Sequence, residues 1–302
     1  MILSENEMLE LGLKFVKFKK GKKRHKRLVE AFGRFYGAPA AVLVAMWNDL
    51  CTTTIPEARV PKKERKEKGV RSFLAVHHFF FSKPKNTEVF SMTMDMNEQE
   101  ISGKRFWKWV ERLAALKKKV IVWPEEKFMS PESAKIVLSL DCTDCQIEEP
   151  KHPTLNQDSG YSSHKFKKAG LRYEIALDLH EPKIVWINGP YKAGSYQDIT
   201  IFKKKGLKDL MLKLPGKKGM ADGGYEGEED LLCMPCSLDG PFEHEYKSRS
   251  RIRHECVNNM IKKYRTMDSK WNFGKKKHAL AFVAICVTVQ YKMDNGLPIW
   301  DV

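Results

Sequence analysis

Residues Ile136 to Leu140 read Ile-Val-Leu-Ser-Leu, and the run ends on Asp141. A short β-branched and apolar run of this kind fills a central strand covered on both faces. The carboxylate at its end is the constraint, because a buried charge without a partner must shift its pKa or find a cation. An aspartate turning out into solvent is the local alternative. Two downstream segments weigh against it. Lys218-Gly-Met-Ala-Asp222-Gly-Gly-Tyr225 sets a second aspartate before a Gly-Gly turn, and Arg249 to Arg265 reads as a helix that carries Glu255.

Three carboxylates within about 5 Å of one another would repel by roughly 3 kcal/mol per pair at an effective dielectric near 20. Such a cluster calls for a divalent metal. Hard oxygen ligands, few in number and leaving positions for water and phosphate, suit Mg²⁺ or Mn²⁺. Two such ions about 4 Å apart activate a nucleophile and stabilise the leaving oxygen in phosphodiester chemistry.

The chain also resembles a known family through an ordered set of motifs. These are Leu140-Asp141-Cys-Thr, Phe166-Lys-Lys-Ala-Gly-Leu-Arg-Tyr-Glu-Ile, Ile184-Val-Trp-Ile-Asn-Gly-Pro, Gly194-Ser-Tyr-Gln-Asp198, Ala221-Asp222-Gly-Gly-Tyr and Arg251-Ile-Arg-His-Glu255-Cys-Val-Asn258. From about residue 28 onward the set resembles the Harbinger-type DDE transposases. The resemblance implies a ribonuclease-H-like catalytic domain in which Asp141, Asp222 and Glu255 are the catalytic, metal-holding carboxylates for two Mg²⁺ or Mn²⁺ ions. It implies DNA cleavage and strand transfer, and a separate Myb-like accessory protein for DNA recognition. Cys142 departs from the Asp-Gly-Thr that such proteins usually carry.

Charge and cysteine usage bound the remaining choices. The 302 residues hold 54 Lys and Arg against 38 Asp and Glu, a net charge of +16. Residues 1 to 135 hold 28 of these bases and 16 of these acids, so the N-terminal part is the footprint expected for a polyanion such as DNA. Seven cysteines, an odd number, argue for a reducing compartment. The pairs Cys142/Cys145 and Cys233/Cys236 lie too far apart in sequence for a compact zinc ribbon. The longest apolar run, Ala279 to Tyr291, is shorter than the ~20 residues that span a bilayer, so it reads as a core helix and no membrane association is expected.

Residues 13 to 27 hold nine Lys and Arg and no acid. The run fits a nuclear import signal, a phosphate-contacting arm or a solvated tail. In the second reading Lys19, Lys20, Lys22, Lys23, Arg24, Lys26 and Arg27 bind DNA, and in the first the protein is nuclear. Leu28 to Leu50 predicts two helices broken at Gly37-Ala-Pro39, and residues 56 to 69 an exposed connector. Further helices are expected over Phe73 to Phe81 and Ser102 to Leu116, with His77 and His78 as core or surface histidines.

Beyond Asp141, Leu171 to Asp178 and Lys183 to Ile187 predict an antiparallel hairpin. Ser195-Tyr-Gln-Asp198 fits a capping box opening a helix, with a metal-ligand role for Asp198 as the alternative. Arg251 and Arg253, with Arg249, either clamp phosphate or pair with nearby acids. The expectation is an α+β chain: a basic arm (1–27), a helical region (28–130) and a ribonuclease-H-like domain (131–302). The expected function is a metal-dependent DNA transposase or endonuclease. The competing one is a domesticated scaffold that keeps the fold and binds DNA without cutting it. A homo-oligomer is compatible with either.

Overall fold

The computed structural model describes residues 1–18, 25–83, 87–94, 96, 97, 100, 103–149 and 159–297. Contacts group Met1–Val120 with Lys262–Met267 and Lys276–Gly296 in one unit, and Ile121–Ile261 with Asp268–Lys275 in a second.

The first unit is helical. It begins with α1 (Glu5–Phe15), α2 (His25–Tyr36), α3 (Ala40–Thr52), α4 (Glu67–Ser82), α5 (Thr87–Met94), α6 (Lys104–Ala115) and α7 (Lys117–Val120). Ser4 starts α1 through a capping box: its hydroxyl accepts the Glu7 N–H, and the Glu7 carboxylate accepts the Ser4 N–H at 2.7 Å. Between α2 and α3, Gly37 adopts φ +76°, and a Cβ there would strike the Phe81 ring at 2.5 Å. That turn therefore requires glycine. Trp47, Phe73 and Trp109 meet with ring centroids 5.7 to 6.4 Å apart and tie α3, α4 and α6 together. His77 is fully buried, which drives its pKa down to about 3, so it stays neutral in the core. His78 stacks on Phe35 at 3.9 Å.

The second unit opens with α8 (Glu125–Met129). Among the described residues five strands follow: β1 (Ile136–Gln146), β2 (Gly170–Asp178), β3 (Ile184–Lys192), β4 (Lys218–Met220) and β5 (Leu232–Cys233). They form one sheet in the order β3-β2-β1-β4-β5. The first three pair antiparallel as the hairpin pattern predicts, while β4 lies parallel to β1 and β5 parallel to β4. Two short helices, α9 (Asp198–Lys204) and α10 (Leu207–Leu212), cover one face. Leu138, Leu140, Ala176, Val185, Phe202, Leu207, Met211 and Tyr225 make the core between them, each side chain contributing roughly 1.5 to 3 kcal/mol where large and fully buried. Gly219 lets β4 into this layer. A Cβ there would come within 2.8 Å of both Leu138 and Leu140. The long helix α11 (Pro241–Lys262) reaches β1 through the hydrogen bond between Ser139 and His254.

The chain then returns to the helical unit with α12 (Arg265–Asp268) and α13 (Lys275–Asp294). Tyr264 donates to the Gly37 carbonyl and Thr266 to that of Phe80. The final helix, expected as the close of a domain running from 131 to 302, groups with the N-terminal helices. The chain has an α+β fold, a ribonuclease-H-like mixed sheet flanked by helices with a helical N-terminal part.

Asp141 does not end its strand. β1 continues for five more residues to Gln146. Cys142, Thr143 and Cys145 are buried and suit a strand, and the charge of Asp144 is neutralised within the fold, so nothing stops the ladder at Asp141.

Candidate active site

Strand pairing brings the two aspartates together. Ser139 of β1 pairs with Met220 of β4, and Asp141 and Asp222 each follow their partner by two residues on these parallel neighbours. Adjacent strands lie roughly 4.8 Å apart, so the two carboxylates emerge side by side. Both line a cleft of about 280 Å³ that Glu255 also lines from α11.

Each carboxylate is held differently. Asp141 accepts the N–H of Cys142 at 2.7 Å on one oxygen and the side-chain amide of Asn258 at 3.1 Å on the other. Asp222 accepts the N–H of Gly224 at 2.9 Å and so opens the short 3₁₀ turn Gly223–Tyr225. Gly224 lets that turn close on the carboxylates, since a Cβ there would come within 3.0 Å of Asp222 and 3.3 Å of Asp198. Neither aspartate forms an ion pair among the described residues. Glu255 is 57% exposed and meets Arg251, 68% exposed, at 3.5 Å. Among the described residues no three His, Cys, Asp or Glu side chains stand close enough to share one ion.

His254 lies buried in the cleft wall beside the two aspartates. Burial holds its pKa below the usual value, against the opposing pull of the Asp141 and Asp222 charges, so the ring is neutral near pH 7. Lys165 supplies a cation at the cleft and donates to the Cys142 carbonyl at 2.8 Å. Cys142 itself points away, its thiol buried 3.5 Å from the Tyr225 hydroxyl. The side chain that replaces glycine therefore fills the core and leaves the cleft open.

Asp144, three residues on and so on the other face of β1, anchors a second acidic group, whose member Asp198 adjoins the Asp222 turn and feels the Asp141 charge. Arg172 of β2 donates to both oxygens of Asp144, at 2.7 and 3.0 Å, and to Asp198 at 2.7 Å. The Ser163 hydroxyl adds a bond to Asp144 at 2.6 Å. The capping box expected from Ser195 to Asp198 does not form, and the Ser195 hydroxyl donates to the Gly160 carbonyl. Gln197 holds the cap position with no side-chain bond, and the Arg172 guanidinium draws the Asp198 carboxylate inward. Burial raises the Asp198 pKa, which Arg172 and Lys165 oppose. Next to this group, Glu174 is fully buried and accepts from the Trp186 indole at 3.0 Å. Burial pushes its pKa up to about 7.

The proposed DNA contacts fare unequally. Lys19, Lys20, Lys22, Lys23 and Arg24 lie outside the described residues. Lys26 and Arg27 are exposed in the first turn of α2. Arg251 is exposed at the cleft. Arg253 requires correction, because it is 2% exposed and donates to the Glu181 carbonyl, so it cannot face a phosphate. On a helix that packs against a sheet, positions two apart face different ways, and the spacing of Arg251 and Arg253 already separates them. Asn258 and His254 were missed as site residues. The signal was available for Asn258, which stands one helical turn from Glu255 and shares its face.

An antiparallel hairpin followed by two parallel strands, with acidic residues on β1, after β4 and on a following helix, defines a ribonuclease-H-like nuclease class. The family profile described as DDE superfamily endonuclease matches residues 140–290, half of the chain, and the chain belongs to that family. No curated protein and no solved structure gives a match to it.

Proposed function

We propose that the protein is a divalent-metal-dependent DNA transposase of the Harbinger type, cutting phosphodiester bonds at transposon ends and joining them to target DNA. The observation that carries this is one cleft lined by Asp141, Asp222 and Glu255, each from a different element, with neither aspartate in an ion pair among the described residues. The donor chemistry fits Mg²⁺ or Mn²⁺: hard carboxylate oxygens, plus a buried Asn258 amide oxygen that has no hydrogen-bond partner among the described residues. Asp141, Asp222 and Glu255 would hold the ions. When bound, these supply an activated water and stabilisation of the leaving oxygen.

The chain's own groups do the rest. Cys142 N–H and the Asn258 amide fix the plane of the Asp141 carboxylate from both sides, as outer partners orient a ligand. Gly224 does the same for Asp222. Lys165 offers a positive charge to a scissile phosphate at the cleft. Glu255 must leave Arg251 to reach the aspartates, and an exposed pair of this kind holds it by about 1 kcal/mol or less. That is a small barrier against the affinity of three carboxylates for a dication. Function in the nucleus and recruitment of a Myb-like partner belong to the same reading.

The scaffold alternative is favoured by one observation, the Glu255 carboxylate turned onto Arg251. Cleavage of a duplex carrying the element's ends, with Mg²⁺ or Mn²⁺, separates the two. Asp222→Asn, matched for folding by circular dichroism, should lower nicking by about a hundredfold or more. Equal cutting by wild type and variant would place any nuclease activity elsewhere. Binding without cutting by both would favour the scaffold.

A further inference from the structure

The helical unit contains a cleft of about 560 Å³, lined by the start of α4, the turn before it and α6. Of the eleven described lining residues seven are Lys or Arg and one, Glu64, is acidic. Three of the cations have acidic partners. Arg112 takes Glu64 in a bidentate pair at 2.6 and 3.2 Å, while Lys68 and Arg105 meet Glu100 at 2.7 and 3.0 Å. Lys63, Lys66, Lys104 and Lys108 are exposed and form no ion pair among the described residues. A cleft that gathers unpaired ammonium groups around a carboxylate already spent on arginine is built for an external anion.

A second observation points the same way. α4, of 16 residues, and α6, of 12, both begin at this cleft, and neither cap residue, Lys66 or Gly103, provides a side-chain hydrogen bond to its helix. Two helix N-termini thus turn the positive end of their dipoles to one cleft, although at α4 the N–H groups of Lys66 and Gly69 are taken by the Glu64 and Lys66 carbonyls. Gly69 lines it as well, and a Cβ there would strike the Glu64 carbonyl at 2.0 Å, so the turn and helix are fixed against each other.

We infer that this cleft binds the phosphodiester backbone of duplex DNA without reading its sequence. Lysines act as point charges suited to phosphate. Trp109, the aromatic residue of the lining, is buried between Trp47 and Phe73 and has no free face on which a base could stack. With Glu64 occupied by Arg112, the described lining offers no free carboxylate to the exocyclic amines of bases. The choice of DNA over RNA rests on the function proposed above. The site goes beyond the proposed chemistry, since it lies in the helical unit and requires no metal.

The test uses the full chain in EDTA with a fluorescent duplex of about 30 base pairs, measuring anisotropy over a salt series. Replacing Lys63, Lys66, Lys104 and Lys108 together by Gln should flatten the plot of log Kobs against log salt by about 3 to 4, near 0.9 per lost phosphate contact. An unchanged slope overturns the inference. In the unaltered protein, duplex should slow acetylation of Lys104 and Lys108, and full reactivity in its presence overturns it as well. That measurement stands even if the fourfold variant fails to fold. More efficient displacement of the duplex by single-stranded RNA of equal length would overturn the DNA assignment. None of these readouts depends on cleavage, so loss of the proposed nuclease activity would leave them intact.

Discussion

Two acidic groups flank the same strand and meet opposite fates. On one face of β1, Asp144 and Asp198 share Arg172, and every contact is 3.0 Å or shorter. Asp141 and Asp222, close by, line a cleft, accept hydrogen bonds from neutral donors and form no ion pair among the described residues. The difference teaches how to read a carboxylate in this fold. A charge neutralised from within is part of the architecture, whereas a charge oriented by neutral donors and left unneutralised is available for an outside cation. Strand alternation sends Asp141 and Asp144 to different sides although they are only three residues apart.

The largest expected effect breaks the internal group. Arg172→Met leaves Asp144 buried and unpaired, and removing one partner of a buried pair costs about 3 to 5 kcal/mol. Asp141→Asn or Asp222→Asn, by contrast, removes repulsion in a part-exposed cleft and should change metal-free stability by about 1 kcal/mol or less, in either direction. Urea unfolding in EDTA measures both. A loss for Asp222→Asn as large as for Arg172→Met would erase the distinction drawn between the two groups.

A smaller effect sharpens the comparison through pH. Glu174 belongs to the buried side, with a folded pKa of about 7 against an unfolded value near 4.5. The folded state therefore binds the proton more tightly. Its contribution is fully present below pH 4.5 and is lost as pH rises through 7, by up to about 3 kcal/mol. Glu174→Gln should gain stability relative to wild type between pH 5 and pH 8, with the Trp186 bond kept by the amide oxygen. Parallel stability curves for the two proteins over that range would show that Glu174 titrates normally.

Much of this was legible in the sequence because it depends on local pattern. The apolar run at Ile136–Leu140 and the alternation after Leu171 mark strands, and the hairpin follows from the short link between β2 and β3. Asp141, Asp222 and Glu255 stood out by their positions relative to these elements. The capping box expected from Ser195 to Asp198 fails because Ser-x-x-Asp at a helix start is a local signal, and the competing Arg172 lies 26 residues away on another strand. Arg253 was misread because helix facing is set by packing against the sheet. The basic cleft of the helical unit was illegible for the same reason: Lys63 and Lys104 come together only when α4 and α6 pack, and either segment alone reads as a solvated charged face.

The smallest effect concerns the ion pair between Glu255 and Arg251 at the cleft. Glu255 and Arg251 are both more than half exposed and 3.5 Å apart, so the pair is worth about 0.2 to 1 kcal/mol. Arg251→Ala should cost no more than that in urea unfolding. If the site is open to a dication as proposed, the same substitution frees the carboxylate and removes a competing positive charge. Mn²⁺ affinity, followed by electron paramagnetic resonance of the free ion, should then rise by up to about fivefold, the ratio that 1 kcal/mol supplies. An affinity that instead falls by more than tenfold would mean that Arg251 helps to build the site. The contrast between an internally neutralised group and an open one would then fail at Glu255, leaving the two aspartates alone to carry it.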